Sequence, residues 1–260
     1  MKNSKYLILR RLVQLGLLFL FIGGNVYGWK VLEGNYSTAW VFESFHLSDP
    51  YAVLQMLATF YMPLSEVLIG ALILFFFYAL IGGRVFCSWI CPINIITDFA
   101  SYLQRKFNIA PLMKTKEVSR NIRYYVLVLG LILSSLFGIA AFELINPITV
   151  LHRALIFGVG FSSSIVLIIF LFDLLILEHG YCGHICPVGA FYAATGRFRA
   201  LKVFHDKDNC TLCMKCKIVC PEPQVLGLIG KETAKIKTAE CTNCARCIDV
   251  CDDDALKFKI

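Results

Sequence analysis

The chain has 260 residues and a mass of 29.3 kDa, which suffices for one medium-sized domain or two small ones. With 58% hydrophobic residues, 17% charged residues and a mean hydropathy of +0.68, the composition excludes a disordered chain and argues against a water-soluble enzyme. The net charge of +7 comes entirely from residues 1–204, which hold 16 Lys and Arg against 9 Asp and Glu. The sequence has no basic stripe with interleaved aromatic residues, so we expect membrane lipid and no nucleic acid as a partner.

Four windows of the sequence contain no Asp, Glu, Lys or Arg and approach the length of a membrane-spanning helix. They have 18, 17, 19 and 19 residues and cover 12–29, 67–83, 124–142 and 154–172. A helix needs about 20 apolar residues to cross the hydrocarbon core, because it rises about 1.5 Å per residue. The sequence therefore predicts four transmembrane helices. A further uncharged stretch, 50–65, is predicted to lie at the membrane interface or to re-enter the membrane.

The positive charges beside these windows predict the orientation of the chain. Fourteen Lys and Arg residues lie on the side of the N terminus, and only Lys30 and Arg153 lie on the other side. This is a strong positive-inside bias. We therefore expect a multi-pass protein of the bacterial inner (cytoplasmic) membrane, with both its N and C termini in the cytoplasm.

Two copies of a Cys-x3-Cys-Pro motif follow the second and the fourth predicted helix. They begin at Cys87 and Cys182, an offset of 95 residues, and the similar stretches 50–54 and 147–151 are offset by 97 residues. The pattern indicates two duplicated helical hairpins, related by a pseudo-two-fold axis along the membrane normal. Such an axis would bring both motifs together at the cytoplasmic surface.

The chemistry of the two motifs is open at the level of sequence. Cysteines at positions i and i+4 of a helix lie on the same face. The four thiols belong to Cys87, Cys91, Cys182 and Cys186. Three interpretations are open: one site for a metal or a further redox centre, two thiol pairs that exchange electrons with a substrate, or cysteines that are merely buried at tight helix ends. A c-type haem is not expected, because the sequence has no Cys-x2-Cys-His motif.

The C-terminal segment is a separate, cysteine-rich unit. A Cys-x2-Cys-x2-Cys-x3-Cys run occurs twice, and a unit of about 55 residues with so small an apolar core needs metal or disulfides to fold. In such runs three thiolates wrap one iron-sulfur cluster and the fourth serves the other cluster. We therefore expect two [4Fe-4S] clusters, one on Cys210, Cys213, Cys216 and Cys251 and one on Cys241, Cys244, Cys247 and Cys220. Zinc held by four thiolates is the alternative.

Together these patterns predict a membrane α-helical protein, with four transmembrane helices in two duplicated hairpins and a small C-terminal α+β ferredoxin-like domain. Residues 1–200 are predicted to form the transmembrane domain with the two Cys-x3-Cys-Pro turns. Residues 201–260 are predicted to form a cytoplasmic domain with the two clusters. Within it, alternating patterns predict short edge strands at 201–203 and 256–260 and a hairpin within 224–239.

Polar residues near the predicted helix ends are candidates for a quinone pocket. Ionisable groups at membrane depth are functional by default, and quinol oxidation requires proton acceptors. Five such residues are Glu43, His46, Glu143, His152 and Asp173. The alternative is that they cap helices and anchor the chain at the interface, where charged side chains cost little.

The chain resembles the NapH family of membrane ferredoxin-type proteins. The features that carry the resemblance are the four predicted membrane helices, the two Cys-x3-Cys-Pro motifs, the double cysteine run and the stretch 47–55. The resemblance covers nearly the whole chain and implies a quinol dehydrogenase subunit, an oxidoreductase component of a periplasmic nitrate reductase system. Electrons from menaquinol or ubiquinol would pass through this chain to a periplasmic iron-sulfur partner of the NapG type. A cytochrome c and the nitrate reductase are the further partners that the resemblance implies. It also implies that the eight tail cysteines hold two cytoplasmic clusters.

Other functions remain as alternatives. CcoG-like copper reductases are relatives of this class, and the Cys-x3-Cys-Pro thiols are able to bind copper, so membrane-bound reduction of a cytoplasmic metal ion is the second hypothesis. A third is a membrane scaffold whose clusters only stabilise its tail. The sequence has no dinucleotide-binding, P-loop, serine hydrolase or His-Glu-x2-His metalloprotease motif, which excludes those classes.

Overall fold

A computed structural model describes residues 5–113, 118–158, 160 and 163–260. It divides into two compact units, each built from several segments of the chain. The first unit contains the described residues up to Gln14, then Phe77–Ile90 and Tyr192–Ile260. The second unit contains Leu15–Phe76 and Cys91–Phe191. The unit around the cysteine-rich tail thus includes two segments from earlier in the chain, and the predicted boundary between residues 200 and 201 stays a prediction.

The helices and strands of the described residues follow one another along the chain. In order they are α1 (Lys5–Tyr27), β1 (Leu32–Gly34), β2 (Thr38–Val41), β3 (Phe45–Ser48), α2 (Pro50–Ala58), α3 (Ser65–Ile81), α4 (Ile93–Phe107), α5 (Ile122–Phe137), α6 (Ala141–Ile145), α7 (Pro147–Phe157), α8 (Ser164–Leu171), α9 (Pro187–Thr195), β4 (Lys202–His205), α10 (Lys215–Val219), β5 (Ala234–Lys235), α11 (Arg246–Asp249) and β6 (Leu256–Lys259). Short π-helical segments occur at Phe86–Ile90, Phe172–Ile176 and Tyr181–Ile185, and 3₁₀ turns at Gly196–Phe198 and Pro223–Leu226.

Among the described residues, α1 is the helix that is both long and apolar enough to cross a membrane. Four further apolar helices are shorter: Ser65–Ile81, Ile122–Phe137, Pro147–Phe157 and Ser164–Ile176. The third predicted window, 124–142, is interrupted because α5 ends at Gly138 in a left-handed conformation. The fourth window, 154–172, begins inside α7 and includes residues 159, 161 and 162, which lie outside the described part of the chain. Four transmembrane helices therefore stay a prediction.

The uncharged stretch 50–65 begins with a regular helix, α2. The Asp49 carboxylate caps this helix by accepting from the Ala52 backbone N–H at 3.2 Å. The Asn146 side chain caps α7 in the same way, by accepting from the Ile148 N–H at 3.1 Å. Both helices place proline directly after the cap, where its missing N–H costs nothing. These matching caps, 97 residues apart, agree with the duplication inferred from the sequence.

An antiparallel sheet precedes α2 and was not expected from the sequence. Its order is β1-β2-β3, with Trp40 opposite His46 in the pairing of the last two strands. The strands have three or four residues each, and their sequences mix aromatic and polar residues without a clear alternation. Such short strands give too weak a signal for a sequence pattern to detect.

The tail contains a second antiparallel sheet with the order β5-β4-β6. The strands predicted near 201–203 and 256–260 occur as β4 and β6, which pair from Lys202 opposite Lys259 to His205 opposite Leu256. The position of β4 as an edge strand was wrong, because β5 pairs with its other side. The predicted hairpin within 224–239 was also wrong: its first residues form a 3₁₀ turn and only Ala234–Lys235 is extended. The core of the tail is small and consists of aliphatic side chains and cysteines, namely Val203, Val225, Leu226, Ile229, Ile236, Leu256, Cys216, Cys241 and Cys247.

Candidate functional site

The two cysteine runs of the tail fold into two loops with the same backbone conformation. In each run the residues on both sides of the second cysteine have positive φ angles: Leu212 (60°) and Met214 (58°) in the first, Asn243 (50°) and Ala245 (59°) in the second. Residues with a side chain rarely adopt this left-handed conformation, and such strain is typical of functional sites. The third cysteine of each run then lies in a short helix, α10 or α11. The repetition indicates that both loops are shaped for the same ligand.

The eight thiols line two separate cavities in the first unit. The first cavity is lined by Cys210, Cys213, Cys216 and Cys251, together with Asp253 and mainly apolar residues. The second cavity is lined by Cys220, Cys241, Cys244 and Cys247, together with Glu222 and mainly apolar residues. In both cavities three cysteines come from one run and the fourth comes from the other run. This is the grouping that the spacing of the cysteines predicts, and it supports the proposed assignment of the ligands.

The chemistry of the thiols fits an iron-sulfur cluster. Burial raises the pKa of the Cys216, Cys220, Cys241 and Cys247 thiols above the ordinary value, and neighbouring thiols raise it further. Such groups become thiolates only when a metal replaces the proton. Four thiolates are the common donor set of a [4Fe-4S] cluster. When bound, each cluster accepts and releases one electron at a time.

Zinc held by four thiolates is the alternative ligand of each cavity. Zinc needs four thiolates at about 2.3 Å from one ion. Within the described ranges, no three His, Cys, Asp or Glu side chains come together as ligands of one metal ion. The four thiols of each cavity line one shared space, and the preference for iron-sulfur clusters rests on the spacing of the cysteine runs.

The two cavities differ in their exposure. Cys241, Cys244 and Cys247 are all buried, with at most 8% of their surface exposed. In the first cavity Cys213 is exposed, and Cys210 and Cys251 are partly buried. The first cavity is therefore the more solvent-accessible of the two.

The loop of the second cavity is held by the π-helical segment that contains Cys87. Ser88 Oγ donates to the Thr242 carbonyl at 2.7 Å, and Trp89 Nε1 donates to the Asn243 carbonyl at 3.1 Å. Asn243 in turn donates through Nδ2 to the Leu201 carbonyl at 2.9 Å. The segment Phe86–Ile90 and the loop before Cys244 therefore form one hydrogen-bonded structure.

Three of the four Cys-x3-Cys-Pro thiols lie around one tyrosine in the second unit. Tyr181 O–H donates to the Cys186 thiol, and burial together with the nearby thiols of Cys186, Cys182 and Cys91 raises the pKa of this tyrosine. Cys91 is buried, whereas Cys182 and Cys186 are partly buried. Cys87 belongs to the first unit. Within the second unit, one thiol of the first motif and both thiols of the second are thus near the same tyrosine.

Three of the five residues predicted for a quinone pocket have ordinary structural partners. Glu43 forms an exposed ion pair with Lys30 at 2.8 Å. The His46 ring is hydrogen-bonded to the hydroxyls of Thr38 and Ser48, at 3.0 and 3.1 Å. The Glu143 carboxylate accepts from Ser37 Oγ and from Asn146 Nδ2, both at 2.8 Å. These contacts are those expected for side chains that anchor loops.

The other two predicted residues are buried with an unpaired polar atom. Asp173 is fully buried; its Oδ1 accepts from the Tyr181 N–H at 2.9 Å, and its Oδ2 has no partner among the described residues. His152 is 2% exposed, and its Nε2 has no partner there either. Burial and Arg153 lower the pKa of His152 to about 4, so the ring is neutral at physiological pH.

Sequence reasoning missed a third buried group beside His152. The Tyr36 ring meets the His152 ring edge-on, with centroids 5.9 Å apart, and Phe21 contacts both rings. The Tyr36 hydroxyl is buried and has no partner in the described part of the chain. The Cys91 thiol is close enough to act on the pKa of Tyr36, which burial raises above the ordinary value. Tyr36 had no signal in the sequence, because it lies in a loop more than 100 residues before His152.

Two family models match the chain. The model described as "4Fe-4S binding domain" matches residues 66–110 and again 159–203, so that each match contains one Cys-x3-Cys-Pro motif. The model described as "4Fe-4S dicluster domain" matches residues 202–252, which contain all eight tail cysteines. The double match of the first model agrees with two duplicated hairpins.

Curated relatives cover most of the chain. It is 44% identical to the ferredoxin-type protein NapH of Haemophilus influenzae, over 98% of this chain and 90% of the relative. It is 42% identical to the ferredoxin-type protein NapH of Escherichia coli, over 97% of this chain and 88% of the relative. It is also 39% identical to the methylamine utilization ferredoxin-type protein MauN of Paracoccus denitrificans, over 91% of this chain and 84% of the relative. No solved structure matches the chain.

The resemblance inferred from the motifs is thus confirmed by relatives that match along nearly the full chain. The tail loops, with four thiols around each of two cavities, agree with the iron-sulfur domains that the family models describe. The chain therefore belongs to the NapH family of ferredoxin-type proteins, a family of [4Fe-4S] electron-transport proteins.

Proposed function

We propose that this chain is the quinol dehydrogenase subunit of a bacterial inner-membrane electron-transfer system. It oxidises a quinol and passes the electrons towards a periplasmic nitrate reductase, by way of a periplasmic iron-sulfur protein of the NapG type and a cytochrome c. Two [4Fe-4S] clusters, on the two sets of four tail cysteines, are the resident centres. Membership of the NapH family supports this proposal, because the two NapH relatives are 44% and 42% identical over nearly the whole chain.

The observation that carries quinol oxidation is the pair of unsatisfied polar atoms on His152 and Tyr36. A buried polar atom without a partner is costly, so it normally indicates an unseen ligand or water. A neutral imidazole accepts a hydrogen bond or a proton from a quinol hydroxyl, and a phenol donates to a quinone oxygen. Phe21 completes an aromatic wall beside both groups. We therefore narrow the quinol headgroup site to His152 and Tyr36, and assign Glu43, His46 and Glu143 to structural roles.

The arrangement in the membrane belongs to the same proposal. Residues 1–200 form four transmembrane helices in two hairpins, and residues 201–260 form the cytoplasmic domain. The Asp249 carboxylate accepts from the backbone N–H groups of Tyr6 and Leu7, at 3.2 and 3.1 Å, in the first turn of α1. This contact supports a tail on the same side as the N terminus, which the positive-inside bias places in the cytoplasm.

The Cys-x3-Cys-Pro thiols are the proposed ligands of a further metal or redox centre. Cys91 is near Tyr36, and Cys182 and Cys186 are near Tyr181, in the second unit. Cys87 lies in the segment that is hydrogen-bonded to the loop before Cys244, in the first unit. The match of a 4Fe-4S family model to both motifs supports a metal centre on these thiols.

Reduction of the clusters by quinol tests the proposal. The full-length protein, purified without oxygen in detergent, is mixed with a reduced quinol analogue, and cluster reduction is followed by EPR. We expect rapid reduction, which Tyr36→Phe and His152→Gln slow by about 100-fold or more because a proton-transfer group is lost. The matched variant His46→Gln keeps the wild-type rate. Dithionite must reduce all four proteins equally, which shows that the clusters are present.

The alternative function, reduction of a cytoplasmic metal ion, is tested on the same purified protein. Thiols are soft ligands that suit copper, and Cys91, Cys182 and Cys186 all lie near Tyr181. Cupric ion is added to the reduced protein and cluster oxidation is recorded. Clusters that transfer electrons to copper but are not reduced by any quinol would overturn the proposal in favour of the metal-ion reductase.

A further inference from the structure

We infer that Arg199 is the buried counter-ion of the cluster on Cys220, Cys241, Cys244 and Cys247, and that it makes this cluster easier to reduce than the other. The inference rests on the ligand sets given in the proposed function. It adds to the proposed function an order of the two reduction potentials: the cluster in the second cavity has the higher potential, so a single electron resides there and not at the first cavity.

The surroundings of Arg199 are unusual for a charged group. The residue is fully buried and directly follows the 3₁₀ turn Gly196–Phe198. Its guanidinium donates to the carbonyl oxygens of Thr238, Ile236 and Gly196, at 2.7, 3.4 and 3.5 Å. In the part of the chain that the structure describes, its side chain pairs with no carboxylate, and its Nε has no partner. All its observed acceptors are therefore neutral.

A buried arginine needs a negative partner. Its guanidinium stays charged at any physiological pH, and a buried unpaired charge is strongly unfavourable. Thr238 and Ile236 lie shortly before Cys241, and Arg199 interacts electrostatically with the Cys241 thiol. Four thiolates around an iron-sulfur cube leave a net negative charge, which increases on reduction. The cluster in the second cavity is thus the anion that the position of Arg199 requires.

The neighbouring arginine does not have this role. Arg84 is also buried, but it forms ion pairs with Glu222 at 2.7 Å and Glu240 at 3.3 Å. These two carboxylates neutralise its charge. The charge of Arg84 is thus matched by carboxylates, whereas that of Arg199 is not. Arg246, which acts on the Cys220 thiol, is a further positive group near the second cavity.

Each cavity has one carboxylate in its wall, but Glu222 of the second cavity is ion-paired with Arg84, whereas Asp253 of the first cavity is hydrogen-bonded to a neutral hydroxyl. Asp253 accepts from Thr211 Oγ1 at 2.6 Å. Asp252 is paired with the exposed Lys215 at 2.7 Å, so its charge is already matched. A carboxylate beside a cluster disfavours the addition of an electron, and exposure to water weakens this effect without reversing it.

The position of the second cavity suggests why its cluster should have the higher reduction potential. Its loop is hydrogen-bonded to the segment Phe86–Ile90, which carries Cys87, whereas the first cavity is the solvent-accessible one. The cluster with the higher potential is therefore adjacent to the Cys-x3-Cys-Pro segment. An electron shared between the clusters is held beside that segment.

A potentiometric titration followed by EPR tests the inference on the full-length protein in detergent. The wild type should show two midpoint potentials. Arg199→Gln should lower the higher one, with a change in its reduction equilibrium on the order of tenfold, or about 59 mV for one electron, and leave the lower one in place. Arg199→Lys should keep most of the wild-type value, because the charge remains. Arg197→Gln is the matched control, since Arg197 is exposed in the same segment.

If the Arg199→Gln protein does not retain its iron, the variant Asp253→Asn tests the order of the two potentials. Asp253→Asn should raise the lower midpoint potential and leave the higher one unchanged. The inference is overturned if Arg199→Gln shifts both potentials equally or neither, if Arg197→Gln has the same effect, or if Asp253→Asn raises the higher potential. The titration uses chemical mediators, so it gives its answer even if quinol proves not to be the electron donor.

Discussion

Arg84 and Glu222 form an ion pair that is almost completely removed from water. Their side chains are 2% and 3% exposed, and Arg84 Nη1 also donates to the Glu240 carbonyl at 2.9 Å. Because Glu222 lines the second cavity, the pair joins the segment after α3 to the cluster loop. A buried pair contributes little net stability compared with apolar residues, but the loss of one partner leaves an unmatched charge behind.

Substitution of Glu222 should therefore destabilise the first unit strongly. For Glu222→Ala we expect the free energy of unfolding to fall by about 3 kcal/mol, because Arg84 loses its buried acid partner and its ion pair with Glu240 is longer and partly exposed. The measurement is the temperature at which the visible absorption of the clusters is lost on heating. Glu232→Ala, an exposed position in the same tail, serves as control and should leave this temperature unchanged. Equal melting of the two variants would show that the pair has no such role.

At the scale of elements, the first unit depends on a close crossing of two backbones. Gly83 follows α3 with a φ of +56°, and Gly196 begins the turn after α9. A Cβ added at Gly83 would lie 3.0 Å from Gly196 Cα, and a Cβ added at Gly196 would clash with Gly83 Cα. The Ala200 and Leu201 N–H groups donate to the carbonyls of Leu80 and Ile81 near this crossing, at 2.7 and 3.0 Å. Arg84 and Arg199 follow this crossing in the chain; Arg84 pairs with Glu222 of the second cavity, and Arg199 donates to the Thr238 carbonyl in the segment before Cys241.

A single methyl group should disturb this crossing. Gly196→Ala is expected to cost about 1–3 kcal/mol, because the clash is with backbone that has no free rotamer to move to. It should also lower the thermal stability of the second cluster more than that of the first, as seen in the EPR signals after graded heating. The control is Gly16→Ala in α1, where an added Cβ meets nothing within 4 Å. A Gly196→Ala protein as stable as this control would contradict the close approach.

For the whole molecule, the sequence predicts local patterns well and contacts between distant segments poorly. The grouping of the tail cysteines follows from spacing within each run, and the helices follow from long apolar windows. Tyr36 and Arg199 could not be found in this way, because each depends on a partner far away in the chain: His152 for Tyr36 and the loop before Cys241 for Arg199. Glu43 and His46 were selected for their residue type, but their neighbours satisfy them. Residue type identifies a candidate, and only burial without a partner separates it from an anchor.

The number of membrane crossings is the remaining prediction at this scale. Helix α5 has 16 residues and rises about 24 Å at 1.5 Å per residue, less than the roughly 30 Å of a hydrocarbon core. A short helix is accommodated by local thinning of the bilayer or by side chains that reach towards the interface, each at modest cost. The shortness of α5 is thus compatible with a membrane crossing, and the bias of fourteen positive charges against two is what predicts the orientation of the chain.

Reporter fusions test this topology directly. Alkaline phosphatase, which is active only outside the cytoplasm, and green fluorescent protein, which fluoresces only inside it, are fused after Glu43, Ala110, Ile145 and Ile260. Four spans require the order outside, inside, outside, inside. The fusion after Ile260 is the decisive one, because the Asp249 contacts with Tyr6 and Leu7 keep the tail on the side of the N terminus. Phosphatase activity at that position would place the clusters in the periplasm, and the same side for the fusions after Ala110 and Ile145 would remove one crossing.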